Sequence, residues 1–352
     1  MKNKRYIEIE GTKIGKEFPP YLIAEMSANH NGNINIAKEI IKSAKESGAS
    51  AVKLQTYKPE TITLDLKNSD FILKGGLWDG RSLFDLYKEA HMPWEWHSDL
   101  FDYAKELGIT IFSSPFDFSA VDLLEDLNTP AYKIASFEVT DLRLIKYIAS
   151  TRKPLIISTG MANKEEIQEA IDVANESGCD QIAILHCVSG YPAPSSDYNL
   201  ATLLDLSKQF NKVVGLSDHT LDNVTAIASI ALGSSIVEKH FILDRELGGP
   251  DSDFSLEPRE LKILADSLNN AWEAIGNINY DLKSSEESNV KFRRSIYFVK
   301  DLKAGEVITE ECLRSVRPGY GLPTKYFDSL IGKKIKKDVV YGTPTSFELI
   351  ED

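Results

Sequence analysis

Two histidines define the chemistry to look for. Leu216-Ser217-Asp218-His219-Thr220 and Ile236-Val237-Glu238-Lys239-His240-Phe241 are short apolar runs that each reach an imidazole, and an apolar, helix-compatible segment, 223–232, closed by Gly233, lies between them. That order predicts two neighbouring parallel strands joined by a crossover helix, with both imidazoles at the same end of the sheet. Parallel neighbours lie about 4.8 Å apart, close enough for two imidazoles to share one metal ion. A hydrogen-bonded histidine at a strand end is the simpler account of either residue alone; the pairing favours the metal. Two lysines carry a second kind of chemistry. Lys53 and Lys133 sit inside Ala51-Val52-Lys53-Leu54-Gln55 and Ala131-Tyr132-Lys133-Ile134-Ala135, and an ammonium within such an apolar strand is rarely buried without a partner. With hydroxyl donors nearby, two such groups form a site for phosphate and carboxylate. Glu25 ends another apolar run and precedes the turn-forming Asn29-His30-Asn31-Gly32. Its carboxylate is a candidate for proton transfer or for stabilising developing positive charge, with an ion pair to a strand lysine as the equal alternative.

Bringing these residues to one end of a sheet requires a repeating frame. Strand-like runs at 21–25, 51–55, 110–114, 131–134, 155–158, 182–186, 213–217 and 236–240 alternate with helical patterns at 34–47, 94–107, 119–127, 141–149, 164–177, 199–210, 223–232 and 258–275. Several helices stop at a glycine just before the next strand, as at Gly48, Gly108, Gly178 and Gly233, where a left-handed residue ends a helix. Eight such units in roughly 255 residues match an α/β fold of the (β/α)8 TIM-barrel type. No Gly-x-Gly-x-x-Gly follows the first strand, which weakens a dinucleotide-binding sheet. Catalysis in such barrels comes from the carboxyl ends of the strands. Those ends carry Glu25; Lys53 and Gln55; Ser113 and Ser114; Lys133 and Ser136; Ser158 and Thr159; His186 and Ser189; Ser217, Asp218 and His219; Glu238 and His240.

Residues 1–283 read as the barrel and the polar stretch 284–291 as a linker. Residues 292–352, with strand-like runs at 295–299 and 307–308 and turns at Lys303-Ala304-Gly305-Glu306 and Gly342-Thr343-Pro344, read as a small β-rich domain that leans on a barrel. The 40 basic and 53 acidic side chains leave a net charge of −13. That balance excludes a general nucleic-acid or anionic-membrane binder, so an anionic substrate must meet a local cationic cluster. Cys179, Cys187 and Cys312 are too few and scattered for a disulfide framework or a Cys-rich zinc site. The charged N-terminus lacks the apolar core of a signal peptide, and no window approaches the ~18 apolar residues of a membrane span. The expectation is a cytoplasmic protein.

Eight stretches then combine. Glu25 with Asn29-His30-Asn31-Gly32, Val52-Lys53-Leu54-Gln55-Thr56-Tyr57, Ser114-Pro115-Phe116-Asp117, Tyr132-Lys133-Ile134-Ala135-Ser136, Ser158-Thr159-Gly160-Met161, Gly215-Leu216-Ser217-Asp218-His219-Thr220, Glu238-Lys239-His240-Phe241 and Gly249-Pro250-Asp251 together resemble the sialic acid synthase family. Arg317-Pro318-Gly319-Tyr320-Gly321 resembles that family's antifreeze-like (SAF) domain, so the resemblance covers nearly the whole chain in one order. Within the family, Lys74-Gly75-Gly76-Leu77-Trp78-Asp79-Gly80, Ala90-His91-Met92-Pro93-Trp94-Glu95-Trp96 and Cys187-Val188-Ser189-Gly190-Tyr191-Pro192 are similar to the pseudaminic acid synthases; Ser189 stands where N-acetylneuraminate synthases lead one to expect Asn.

The resemblance implies condensation of phosphoenolpyruvate with an open-chain amino-sugar aldehyde, 2,4-diacetamido-2,4,6-trideoxy-L-altrose, to give pseudaminic acid and phosphate. N-acetylneuraminate or legionaminic acid synthesis is the alternative within the family. It further implies a divalent metal on His219 and His240, Mn²⁺ before Mg²⁺ or Co²⁺, and catalytic roles for Glu25, His219, His240 and Asp251. Substrate contacts are implied for Lys53, Gln55, Ser114, Lys133, Ser136, Glu138, Ser158, Ser189, Tyr191, Ser217 and Arg317. Arg317 would reach from the small domain of one subunit into the barrel mouth of another, as in a domain-swapped homodimer. Two readings from other classes stand beside this one: a Schiff-base aldolase using Lys133, and a non-catalytic carbohydrate-binding protein, which would not need lysines at the strand ends.

Overall fold

The computed structural model describes residues 6–351, and the chain divides into two compact units between Gly276 and Asn277. In the first, strands β1 (Tyr21–Glu25), β2 (Ala51–Thr56), β3 (Thr110–Pro115), β4 (Tyr132–Ile134), β5 (Leu155–Ser158), β6 (Ile182–Cys187), β7 (Val213–Asp218) and β8 (Ile236–His240) close a parallel barrel, β8 pairing with β1. Helices α1 (Ile34–Glu46), α2 (Trp96–Leu107), α3 (Phe118–Asp126), α4 (Leu142–Ser150), α5 (Lys164–Glu176), α6 (Thr202–Phe210), α7 (Val224–Ala231) and α8 (Pro258–Ile275) alternate with the strands. This is the expected TIM barrel, with element ends within a few residues of those read from periodicity. Gly108 ends α2 at φ 71° and Gly233 follows α7 at φ 97°, the left-handed conformation that only glycine adopts at little cost.

The strands are apolar on both faces because both faces are buried. Outward residues such as Leu22, Val52, Leu54, Leu216 and Val237 pack on Ile40, Ile41, Leu100 and Leu264 of the helices. The inward face positions the site. Its lower layer, Tyr21, Ile23, Ala51, Phe112, Ile156, Leu185 and Ile236, packs with Ile7, Ile9 and Ile14. These three belong to a hairpin, Ile7–Ile9 paired with Thr12–Ile14, which periodicity did not reveal. Two residues further along five of the strands the same face turns polar: Ile23 gives way to Glu25, Ala51 to Lys53, Phe112 to Ser114, Ile156 to Ser158 and Ile236 to Glu238. A period of two keeps all of them inside the barrel, so a polar layer stands on a dry plug.

Between β2 and α2 the chain forms two helices that were not expected, Pro59–Ile62 and Leu83–Ala90. Among the described residues no helix is long and apolar enough to cross a membrane.

The second unit has its own core, built on Ile296, Phe298, Leu302, Ile308, Leu313, Leu330, Ile335 and Val339. Its strand β9 (Ser295–Phe298) pairs antiparallel with β10 (Leu313–Val316). The stretch expected to be strand-like at 307–308 instead makes a single bridge, Val307 to Lys334, because the chain turns at once into Ile308, whose amide bonds to the Lys333 carbonyl. The segment read from its polarity as a linker is a 3-10 helix, Ser284–Phe292. Arg317 follows β10 and is exposed.

Candidate active site

The register puts Glu25 beside Lys53 and beside His240, and Glu238 beside Ser217. From these positions the inward side chains converge. Lys53 Nζ lies 3.1 Å from Glu25 Oε2 and 3.4 Å from Glu238 Oε1, and donates to Ser114 Oγ at 3.3 Å. Lys133 Nζ donates to Ser158 Oγ at 2.6 Å and to the Ile134 carbonyl at 3.0 Å, and lies 3.7 Å from Glu238 Oε1. Ser217 Oγ donates to that same Glu238 oxygen at 3.2 Å. Gln55 Nε2 donates to Glu25 Oε1 at 2.8 Å and to Ser27 Oγ at 2.9 Å. Two cations, two carboxylates and four hydroxyls therefore share one buried cluster.

Burial and neighbours sort their protonation. Burial pushes Glu25 up from 4.5 to about 7; Lys53 opposes this and Glu238 reinforces it. Burial acts the same way on Glu238, yet Lys133 and Lys53 together outweigh it and hold its pKa below the ordinary value. Lys53, with two carboxylates, is raised against the effect of burial. Lys133 has one carboxylate at longer range, and burial lowers it. Two carboxylates with pKa values driven apart divide into a fixed anion and a proton carrier; here Glu238 is the anion and Glu25 the carrier. Glu138, in the 3-10 turn Ser136–Glu138 after β4, is also pushed up to about 7 by burial, which Lys133 opposes.

The imidazoles stand beside this cluster with ring centroids 5.5 Å apart. His219 Nδ1 lies 2.8 Å from the Val188 carbonyl. A carbonyl only accepts, so Nδ1 carries a proton, and Nε2 is the nitrogen left for a metal when the ring is neutral. His240 is held neutral, well below 6.5, by burial and then by His219 and the lysines, and its buried Nδ1 has no hydrogen-bond partner. Asp251 Oδ2 lies 3.8 Å from that nitrogen, and burial raises the pKa of its carboxyl. Asn29 ties the Asp251 loop to β1, donating to the Phe241 carbonyl at 2.9 Å and to Ser255 Oγ at 2.8 Å, while Ser255 Oγ donates to the Asp251 carbonyl at 2.6 Å. Burial lowers the His219 pKa, but Cys187, the Val188 carbonyl and Glu238 outweigh it and raise it. A neutral His240 with an orphaned buried nitrogen, beside the outward Nε2 of His219 once that ring is neutral, fits a divalent metal. Among the described residues no group of three or more His, Cys, Asp or Glu side chains forms a closed cage, so oxygen ligands from water or substrate would complete the shell.

Ser136 and Ser189 meet over Gly160, whose amide donates to Ser136 Oγ at 3.2 Å. A Cβ on Gly160 would lie 2.3 Å from Ser189 Oγ and 2.8 Å from Ser136 Oγ, so only glycine leaves these hydroxyls their place.

With this geometry in hand, a model of the NeuB family matches residues 40–280 and a SAF domain model matches residues 293–351. The chain belongs to the NeuB family. Its NeuB relatives include the pseudaminic acid synthase of Campylobacter jejuni subsp. jejuni, 43% identical over 92% of this chain and 94% of that one. The pseudaminic acid synthase of Helicobacter pylori is 42% identical over 95% of this chain and 98% of that one. Among solved structures, the N-acetylneuraminic acid synthetase from Leptospira borgpetersenii in complex with citrate superposes with a TM-score of 0.73 at 28% identity, covering 82% of this chain and 96% of that one.

Not every polar strand end of this NeuB chain enters the cluster. His186 bonds the Tyr198 carbonyl and packs edge-on against the Tyr198 ring. Ser113 bonds Thr56, which bonds His97 at 2.8 Å. Asp218 pairs with Lys239. His30 packs against Trp96. His186, Ser113 and Asp218 each sit one residue out of phase with the inward set, and His30 lies in the turn beyond β1. The site residue that spacing did not single out is Glu238. It was read as one polar strand end among many, yet both lysines converge on it. Its phase, two residues before His240 on the same strand, was the available signal. Cys187, read only as a reduced thiol, has its Sγ 3.9 Å from His219 Nδ1 and 4.0 Å from Ser189 Oγ.

Proposed function

We propose that this chain is a pseudaminic acid synthase, a transferase that condenses phosphoenolpyruvate with 2,4-diacetamido-2,4,6-trideoxy-L-altrose and releases phosphate. The observation that carries the reading is the convergence of Lys53 and Lys133 on Glu238 at the floor of a mouth that also holds two adjacent imidazoles. The pseudaminic acid synthases at 42–43% identity support the choice of sugar. Lys53, Lys133, Ser114, Ser136, Ser158, Ser189 and Ser217 hold the phosphate and carboxylate of phosphoenolpyruvate, whose charge the lysines balance. Glu238 keeps both ammonium groups in place. Asp251 and Tyr191 face the sugar. A divalent metal on His219 and His240, where nitrogen ligands favour Mn²⁺ over Mg²⁺ and oxygen ligands would complete the shell, would supply polarisation of the aldehyde when bound.

In the reaction, C3 of phosphoenolpyruvate bonds to the aldehyde carbon and the C=O pair moves onto the aldehyde oxygen, which ends as a hydroxyl by taking the proton released from the C2 hydroxyl when phosphate departs. Positive charge is left at C2. Glu25, oriented by Gln55, stabilises that charge and accepts a proton from the water that adds there, a role suited to a carboxyl near pH 7. The hemiketal phosphate then expels phosphate and leaves the α-keto acid. The deciding experiment supplies phosphoenolpyruvate, Mn²⁺ and a panel of amino-sugar aldehydes and measures phosphate release. Release with the 2,4-diacetamido sugar and not with N-acetylmannosamine is expected; the reverse preference would replace this substrate.

A Schiff-base route through Lys133 is favoured by one observation, its burial-lowered pKa. Borohydride in the presence of substrate separates the two: the present reading expects no covalent adduct. The free, buried thiols of Cys179, Cys187 and Cys312 support a cytoplasmic setting. Arg317 is proposed to complete the barrel mouth of a partner subunit in a swapped homodimer. Arg317→Ala is then expected to lower activity about a hundredfold, and mixing it with a His219→Ala variant to restore part of it; absence of recovery in mixed dimers would count against sharing.

A further inference from the structure

Of the stretch Lys74-Gly75-Gly76-Leu77-Trp78-Asp79-Gly80, six residues are exposed and Trp78 is not. The stretch is the tip of a hairpin in the connection between β2 and α2. Leu73 N bonds the Arg81 carbonyl at 2.9 Å, Gly80 N bonds the Leu73 carbonyl at 2.9 Å, and Leu83 N bonds the Phe71 carbonyl at 2.9 Å. The tip is tethered across the molecule. Trp78 Nε1 donates to the Pro250 carbonyl at 3.0 Å, a residue away from Asp251. The Trp78 ring lies 6.0 Å from that of Tyr191, which lies 4.4 Å from His219 and 5.2 Å from Phe254; Phe254 lies 4.9 Å from His240. An aromatic wall thus runs outward from the two imidazoles to Trp78, opposite in character to the lysines and carboxylates on the barrel floor.

The wall has a direction. Phosphoenolpyruvate occupies the cationic floor and the aldehyde carbon must meet it beside the imidazoles, so the remainder of an open-chain sugar leads away along Tyr191 towards Trp78. The one nitrogen of the indole is committed to Pro250, which leaves Trp78 no donor for a sugar hydroxyl. A methyl end loses nothing against such a surface, whereas a hydroxymethyl end gives up hydrogen bonds to water. We propose that Trp78 is the specificity-determining residue for the deoxygenated C6 end of the sugar, an inference that rests on the function proposed above.

The test compares kcat/KM for 2,4-diacetamido-2,4,6-trideoxy-L-altrose and for the same sugar carrying a C6 hydroxyl, in the wild-type chain, Trp78→Ala and Trp78→Phe with saturating phosphoenolpyruvate and Mn²⁺. The wild type is expected to prefer the deoxy sugar by about tenfold or more, since apolar pockets discriminate single substituents on that scale. Trp78→Ala is expected to lose about tenfold on the deoxy sugar and less than about twofold on the hydroxylated one, while Trp78→Phe keeps most of the preference. The KM for phosphoenolpyruvate should stay unchanged in both variants. Equal losses on the two sugars, or an unchanged ratio, would overturn the assignment and leave Trp78 as a loop tether. A wild type that releases no phosphate with either sugar would overturn the function and this inference together.

Discussion

Glu238 and Lys239 are neighbours in β8 and face opposite sides of the barrel wall. Both are buried, at 5% and 1% exposure. Lys239, facing the helices, is closed on itself: its Nζ bonds Asp218 Oδ2 at 2.8 Å, the Thr220 carbonyl at 2.7 Å and the Asp222 carbonyl at 2.6 Å, which uses all three donors of an ammonium. Glu238, facing the barrel axis, has one oxygen shared among Ser217, Lys53 and Lys133 and a second, buried, with no hydrogen-bond partner. His240 Nδ1, on the same inner face, is likewise unpartnered. Burial alone does not separate a structural ion pair from a working one; saturation does. A cluster that satisfies every polar atom has no use for a ligand, and one that leaves polar atoms open in a buried mouth is arranged around what is to bind there.

The contrast can be broken at either side. The largest effect is expected for His219→Ala or His240→Ala, which should cut turnover by on the order of a thousandfold while leaving the urea unfolding midpoint nearly unchanged; full activity in either variant without metal would remove the metal role. Next is Lys239→Met on the saturated side. Leaving Asp218 charged and unpaired is expected to cost about 3–5 kcal/mol of stability, read by urea denaturation, and adding Asp218→Leu should recover most of it. Lys53→Met, on the open side, should lower kcat/KM for phosphoenolpyruvate by about a hundredfold. It should cost less stability than Lys239→Met, because Glu25 already takes up a proton readily.

The smallest effect is a pH slope. Glu25 has its folded pKa raised from 4.5 to about 7, so the folded state binds the extra proton between those values. Its contribution to stability is fully present below about pH 4.5 and is lost as pH rises through about 7. Glu25→Gln should flatten that part of the stability profile, measured as the urea midpoint at about pH 5 and about pH 8. A profile as steep as that of the wild type would mean that another group carries the proton.

Much of this molecule was legible before folding. Alternation of apolar runs with helical patterns, several of them closed by a glycine, is local information, and it determined the barrel and the end of it at which Glu25, Lys53, Lys133, His219 and His240 lie. The hairpin at Ile7–Ile9 and Thr12–Ile14 was not legible, because strands of three residues are too short to show a period. The role of Glu238 was not legible either, since its partners Lys53, Lys133 and Ser217 come from three other strands, two of them far away in sequence. Phase along a strand is written in the sequence and decides which residues face inward. Which of those inward residues touch, and which polar atoms remain open, is set by strand register and barrel closure, and these follow from packing across the whole chain. Trp78 makes the same point from outside the barrel: its type and glycine-rich surroundings are sequence facts, but its place at the outer end of the aromatic wall exists only because the tertiary fold brings Pro250 and Tyr191 to meet it.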